Sequence, residues 1–127
     1  MKDSVDKLYK DYPLLFTKQT SFYLPEGWVE LVRGLCDVIS QHLEYAYPKE
    51  ISDQMYVSQV KEKFGSLRFY MAHDDDFISG AITMAEMQSY RLCQKCGKKG
   101  THQNLGGWVS TLCGKHLKEE KDRIQRK

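Results

Sequence analysis

Cys93-Gln94-Lys95-Cys96 and Cys113-Gly114-Lys115-His116, separated by sixteen residues, are the stretches on which the reading of this chain turns. A two-residue gap between cysteines lets one tight turn aim both sulfurs at a single ion. Zinc takes four tetrahedral ligands, drawn mainly from Cys and His. Gly97 directly follows the first pair and suits a sharp change of direction. Cys113 and His116 stand one helical turn apart and share a face if a helix starts near Cys113. Ahead of them, Trp108-Val109-Ser110-Thr111-Leu112 has the composition of a strand, and Gly106-Gly107 that of the turn feeding it. Knuckle, hairpin, then ligands on a first helical turn is the order of a treble-clef finger. Cys93, Cys96, Cys113 and His116 are therefore expected to bind one structural Zn2+. Four protein ligands fill the coordination shell, whereas catalytic zinc keeps a position open for water. His102 is a possible competing ligand, but it falls in a polar stretch without a paired spacing. His42 and His73 read as surface or capping residues.

Working outward, residues 26–47 form the strongest helical pattern. Trp28, Leu31, Val32, Leu35, Ile39 and Leu43 recur at three- and four-residue steps. Pro25-Glu26 suits the opening of the helix and Pro48 its end. Cys36 lies inside this helix, away from the other cysteines, and reads as a small buried apolar residue. Residues 55–72 read as a β-hairpin, with Lys63-Phe64-Gly65-Ser66 as its turn. Lys61, Lys63, Phe64, Arg68, Phe69 and Tyr70 interleave cations with aromatic rings, as base-stacking surfaces do. A hairpin with one buried and one solvated face explains the same pattern, and the strand signature of RNA-recognition domains is missing. A second helix follows Asp74-Asp75-Asp76, with Phe77, Ile78, Ala81, Ile82, Ala85, Ser89 and Leu92 as its apolar stripe. The three carboxylates suit an N-cap and the positive helix end. Residues 1–24 hold a short helix broken at Pro13, then an irregular stretch.

The chain has 127 residues, 41% of them apolar, enough to bury a core without help from metal. No apolar run approaches the roughly 20 residues of a membrane span. The opening Met1-Lys2-Asp3-Ser4-Val5-Asp6 lacks a basic-then-apolar signal pattern. A cytoplasmic, reducing location is expected, which favours metal over disulfides. The net charge of +2 hides an asymmetry. Residues 1–90 carry 9 Lys/Arg against 14 Asp/Glu, a balance of −5, and residues 91–127 carry 10 against 3, a balance of +7. Residues 114–127 are expected to be a helix with Leu117 and Ile124 as its apolar seam. Lys98, Lys99, Lys115, Lys118, Lys121, Arg123 and Arg126 are the candidate surface for a partner or for nucleic acid. Glu119 and Glu120, four and three positions before Arg123, blunt that field, so only weak nucleic-acid affinity is expected.

Two stretches taken together resemble a known group: Gln59-Val60-Lys61-Glu62-Lys63-Phe64-Gly65-Ser66-Leu67-Arg68-Phe69-Tyr70, and Cys93-x2-Cys96-Gly97 followed by Gly107-Trp108 and Thr111-Leu112-Cys113-x2-His116. The likeness extends back to Glu26-Gly27-Trp28. It is to a family of small, functionally uncharacterised zinc-finger proteins of bacteriophages and bacterial genomes. That resemblance implies a phage or mobile-element setting and no particular activity. Asn104-Leu105 and Leu112-Cys113-Gly114-Lys115-His116-Leu117-Lys118 also resemble the tail of HNH nucleases. Those enzymes need an Asp-His or His-His pair on the hairpin, and Gly100-Thr101-His102-Gln103-Asn104 offers one His.

The expected fold is α+β: two or more helices packed on a small antiparallel sheet, with a C-terminal treble-clef finger. Residues 1–92 form the body and 93–127 the finger, packed as one unit. No phosphate-binding glycine loop, serine elbow or usefully spaced carboxylate pair occurs. The expected function is a non-enzymatic binding module for a host protein or protein–nucleic-acid machine, acting on a defence system or on transcription. Direct DNA or RNA binding and a divergent nuclease are the rivals. The sequence leaves the oligomeric state open.

Overall fold

A computed structural model describes residues 2–126; Met1 and Lys127, the last cation of the basic tail, lie outside the described residues. The fold is α+β. Its elements are α1 (Lys2–Asp11), β1 (Phe16–Phe22), α2 (Val29–Ala46), α3 (Lys49–Ser52), β2 (Val57–Lys63), β3 (Ser66–Met71), α4 (Asp76–Ser89), β4 (Thr101–Leu105), β5 (Trp108–Leu112) and α5 (Gly114–Gln125). Among the described residues no helix is long and apolar enough to cross a membrane.

Helix α2 follows from its stripe. A 3₁₀ turn at Glu26–Trp28 leads into it after Pro25. Trp28, Val32, Leu35, Ile39 and Leu43 are buried, and Leu31 packs at their margin. Cys36 is 0% exposed, and burial pushes its thiol pKa up. Helix α1 is tied alongside by an Arg33–Asp11 ion pair and by the Tyr12 hydroxyl, which donates to Asp37 Oδ1 at 2.5 Å.

The hairpin appears as expected, with Lys63 paired to Ser66. Its two turn residues, Phe64 and Gly65, both have positive φ, 52° and 76°. That is the two-residue turn whose twist matches the strands. The Glu62 carboxylate accepts from the Gly65 amide at 2.7 Å, which steadies it. The sheet is not purely antiparallel. Residues 16–22, read above as irregular, form β1, which runs parallel to β2 in a three-stranded sheet of order β1-β2-β3. The reason is chemical. Only Phe16 and Thr20 of β1 are buried, so no apolar alternation marks it. It is held instead by polar bonds, with the Thr20 hydroxyl donating to Val57 O at 2.6 Å and the Tyr23 amide to Val60 O at 2.8 Å.

Helix α4 packs along β3, one of the two edge strands of that sheet. Ser89 Oγ accepts from the Leu67 amide at 2.9 Å, and Glu86 Oε2 accepts from the Phe69 amide at 3.0 Å. Edge-strand donors that would otherwise invite another chain are thereby satisfied. Ile78, Ile82, Ala85 and Ser89 are buried. Phe77, placed above in the core stripe, is 53% exposed, because it sits on the first turn and its ring stacks on His42 of α2 at 4.1 Å instead of entering the core.

Asp75 is the N-cap of α4 and accepts from the Ile78 amide at 2.8 Å. Its other oxygen receives the Tyr47 hydroxyl and lies 2.7 Å from His42 Nε2, so one carboxylate joins α4 to the end of α2. Partial burial opposes its charge, but the bonds from Tyr47, Ile78 and His42 outweigh this and hold its pKa at about 2. A depressed carboxylate stabilises the fold above its unfolded-state pKa, near 4, and loses that contribution as pH falls towards the folded value. Acid titration monitored by circular dichroism is expected to show about 1–2 kcal/mol lost between roughly pH 4 and 2, allowing for the side chain's partial exposure. Asp75→Ala is expected to remove that pH-dependent component.

Candidate metal centre

The first ligand pair sits in a knuckle entered from the end of α4. The Cys93 amide donates to Lys98 O at 2.7 Å and the Gly97 amide to Cys93 O at 2.8 Å, while Leu92 bridges Lys99. Gly97 has φ 80°, as the tight reversal requires. The β4–β5 hairpin follows, closed through Gly106-Gly107, whose amide at Gly107 is bound by Asn104 Oδ1 at 2.8 Å. Cys113 then stands at the N-cap of α5, with His116 on its first turn.

These elements bring the four expected residues together. One ligand atom from each of Cys93, Cys96, Cys113 and His116 lies within 4.8 Å of all the others. Cys96 Sγ is 3.7 Å from Cys113 Sγ. His116 Nδ1 is 3.5 Å from Cys93 Sγ and 3.2 Å from Cys113 Sγ. Zinc bond lengths of about 2.3 Å to sulfur and 2.0 Å to nitrogen imply tetrahedral edges of about 3.8 Å for sulfur–sulfur and 3.6 Å for sulfur–nitrogen. The spacing fits a single ion held by four protein atoms. Cys93 is buried, Cys113 and His116 are half-buried, and Cys96 is exposed.

The local electrostatics differ between the sulfurs. At Cys113 the His116 amide, at the N-terminus of α5, does most to lower the thiol pKa to about 6. At Cys96 the Lys98 amide pulls down, but desolvation and the Cys93 and Cys113 sulfurs outweigh it and the net shift is upward. Crowded sulfurs of this kind need a cation to ionise together.

A shell of bonds fixes the ligands in turn. The Gln94 amide donates to Thr111 O at 2.9 Å, and Gln94 Oε1 accepts from the Thr111 amide at 3.0 Å. The knuckle also meets α2's leading turn, where the Gly27 amide donates to Gln94 O and Trp28 Nε1 to Leu92 O, each at 2.9 Å. A Cβ on Gly27 would lie 2.0 Å from Cys93 O. Strand β5 meets the β2–β3 turn, where the Thr111 hydroxyl donates to Gly65 O at 2.7 Å. Gln94 and Thr111 carry no sequence signal, since isolated polar residues in a finger resemble solvated loop.

His102 lies on β4, away from the cluster. Thr111 Oγ1 spends its proton on Gly65 O, so His102 Nδ1, 3.1 Å away, is the donor to it. His102 also meets the ring edge of Tyr90. The cations Lys98, Lys99, Lys115, Lys118, Lys121 and Arg126 are exposed. Arg123 is engaged by Glu120. The expected Leu117–Ile124 seam is corrected: Leu117 is half-buried, but Ile124 is 38% exposed and Glu120 is buried. Glu120 faces inward because Arg123 Nε donates to it at 3.0 Å and Lys95 of the knuckle lies 3.4 Å away. Arg123 does most to hold its carboxyl below the usual range.

No family model, curated protein or solved structure matches this chain.

Purified protein is expected to contain close to one zinc per chain by elemental analysis. Cys113→Ser should lose that metal, and Cys36→Ala should retain it at a cost on the order of 1–3 kcal/mol. Zinc-free native protein, or zinc loss in Cys36→Ala, contradicts this ligand set. Separately, Gly27→Ala is expected to cost on the order of 3 kcal/mol or more, since its Cβ meets backbone rather than a flexible side chain. Chelator competition should then show faster metal release although no ligand has changed.

Proposed function

We propose that this protein is a zinc-stabilised, non-enzymatic binding module that engages a protein partner. The supporting observation is the closed Cys3His set, with its four ligand atoms within 4.8 Å. Such a set suits zinc by its sulfur-rich chemistry and fills the coordination shell, so the ion acts as a structural tie. The lone hairpin histidine, occupied by Thr111, supports a non-catalytic role. The motif likeness supports a phage or bacterial cytoplasmic setting, in which the partner is a host protein or a protein–nucleic-acid machine of defence or transcription.

One observation favours direct nucleic-acid binding as a second reading. Lys61 and Arg68 are cross-strand neighbours on the sheet, and Lys61 lies 6.0 Å from the Tyr70 ring centroid. Against it, Lys95 and Arg123 are turned onto Glu120, which reduces the free positive charge of the finger.

Affinity capture from a bacterial lysate, with and without nuclease, tests the choice. A partner retained after nuclease treatment is the expected result. Fluorescence anisotropy should give dissociation constants for DNA and RNA at or above about 1 µM near physiological salt. Changing Lys118, Lys121 and Arg126 to Glu should leave zinc content and melting temperature nearly unchanged. Arg123 is spared because reversing it would set two carboxylates together beside buried Glu120. Nanomolar nucleic-acid binding abolished by that triple change would replace the protein-partner reading.

A further inference from the structure

The sheet β1-β2-β3 turns one face into the core, where Phe16, Val57, Val60, Leu67 and Phe69 are buried. Register fixes what stands on the other face. Residues directly opposite in an antiparallel pair share a face, as do alternate residues along a strand. Lys61 pairs with Arg68 and Gln59 with Tyr70, and Lys63 follows Lys61 by two. Lys61, Lys63, Arg68 and Tyr70 therefore stand together on the outward face. Ser21 of β1 pairs with Gln59 on that side. Tyr23 continues the alternation, its amide donating to Val60 O at 2.8 Å. Tyr23 and Tyr70 are 57 and 42% exposed.

Charge on this face is one-sided. The three strands hold four cations, Lys18, Lys61, Lys63 and Arg68, and one carboxylate, Glu62. Glu62 pairs with buried Leu67 and is bonded to the Gly65 amide. Among the described residues no carboxylate pairs with Lys61, Lys63 or Arg68. Arg68 Nε is buried and has no hydrogen-bond partner. An unmet donor on a charged group is costly, and an incoming anion can complete it.

Phe64 is an independent observation. Among the described residues it is the one non-glycine residue with positive φ, at 52°, and it is 65% exposed. A bulky side chain is strained in that region, and Asn-Gly suits such a two-residue turn far better than Phe-Gly. Neither core packing nor turn chemistry accounts for an aromatic ring at this tip. Strain of this kind collects at ligand contacts. Lys63 Nζ lies 5.7 Å from the Phe64 centroid, and Lys61 Nζ 6.0 Å from that of Tyr70.

We propose that this outward sheet face binds single-stranded nucleic acid. Tyr23, Phe64 and Tyr70 offer rings on which bases stack, and Lys61, Lys63 and Arg68 hold the phosphates between them. Stacking and backbone charge together bind a single strand without reading its sequence. An acidic protein segment would use the cations but leave the three exposed rings without a role. The inference rests on the second reading above and places the contact on the sheet, not on the finger. Three cations make a weak contact, which leaves room for a protein partner elsewhere on the chain.

The test uses the zinc-loaded full chain and a fluorescent ten-nucleotide oligothymidylate, read by anisotropy. The dissociation constant should be about 20 µM near physiological salt. Its logarithm should change with that of salt by about 2, as roughly three phosphate contacts on a single strand require. An abasic strand of the same length should bind at least about fivefold more weakly, as should the oligonucleotide to Phe64→Asn or Arg68→Gln. Both variants should keep the wild-type zinc content, and Phe64→Asn should melt no lower than wild type because Asn tolerates positive φ. Changing Lys118, Lys121 and Arg126 to Glu should weaken binding less than Phe64→Asn does. Equal binding of the abasic strand, or equal binding by Phe64→Asn, overturns the proposal. So does an oligoglutamate peptide that binds as tightly as the oligonucleotide, which assigns the face to an acidic protein. If binding is lost in the finger variant and kept in Phe64→Asn, direct nucleic-acid binding stands and the sheet assignment fails. Absence of binding below about 1 mM removes both.

Discussion

The close approach of Gly27 to the carbonyl of Cys93 governs how the metal site is built. Two backbones touch there with no side chain between them, and a Cβ would lie 2.0 Å from the oxygen. That contact places the knuckle against the leading turn of α2, where the Trp28 indole reaches Leu92 O. The first two ligands thus inherit the rigidity of the body's largest fully buried side chain, since Trp28 is 0% exposed. The other two arrive from β5 and α5, and β5 is pinned by Thr111 to the Gly65 carbonyl. A Cβ on Gly65 would also crowd Ser110 Cα, at 2.8 Å. Two glycines therefore govern the approach of the two halves of the ligand set, and preorganisation of this kind favours metal binding.

Legibility in the sequence follows from what kind of force sets each element. Periodic burial is visible, so the apolar stripe marks α2 from Trp28 to Leu43, and the hairpin and α4 are legible in the same way. Ligand spacing is visible, so Cys93, Cys96, Cys113 and His116, the four residues of the cluster, stand out in the sequence. Polar specification is not visible. Strand β1 depends on Thr20 and backbone bonds rather than on an apolar alternation, so it read as irregular. Glu120 turned inward because Lys95, far away in sequence, waits on the knuckle. Helical spacing showed the Glu120–Arg123 pair but could not reveal that Glu120, and not Ile124, faces the body. Phe77 shows the reverse failure, since an apolar residue in register with a stripe still lies outside when its ring stacks on an exposed side of a neighbouring helix, here at His42.

The −5 and +7 halves of the charge distribution also acquire a structural meaning. The acidic excess is concentrated on α2 and α4, where Asp37 is bonded to Tyr12 and Glu86 to the amide of Phe69. The basic excess belongs to the finger, where part of it is consumed internally by Glu120. Patches of opposite sign on one small domain attract each other only weakly where they are more than a Debye length of about 8 Å apart, because exposed charges are then largely screened.

Helix α4 is where these features meet. One face covers the outer edge of β3 through Ser89 and Glu86, which satisfies the Leu67 and Phe69 amides at that edge. Its N-terminus is fixed by Asp75 to Tyr47 and His42 at the end of α2. Its C-terminal end leads within a few residues to Cys93, so the angle of α4 sets where the first metal ligand stands. The remaining face carries Phe77, Ala81 and Met84 towards solvent beside α2. Shifting α4 would therefore disturb the sheet edge, the metal knuckle and the packing on α2 together. That coupling is a physical reason for the Cys93 knuckle to stand where it does: a metal held there would tie down the far end of the helix that covers β3 and packs on α2.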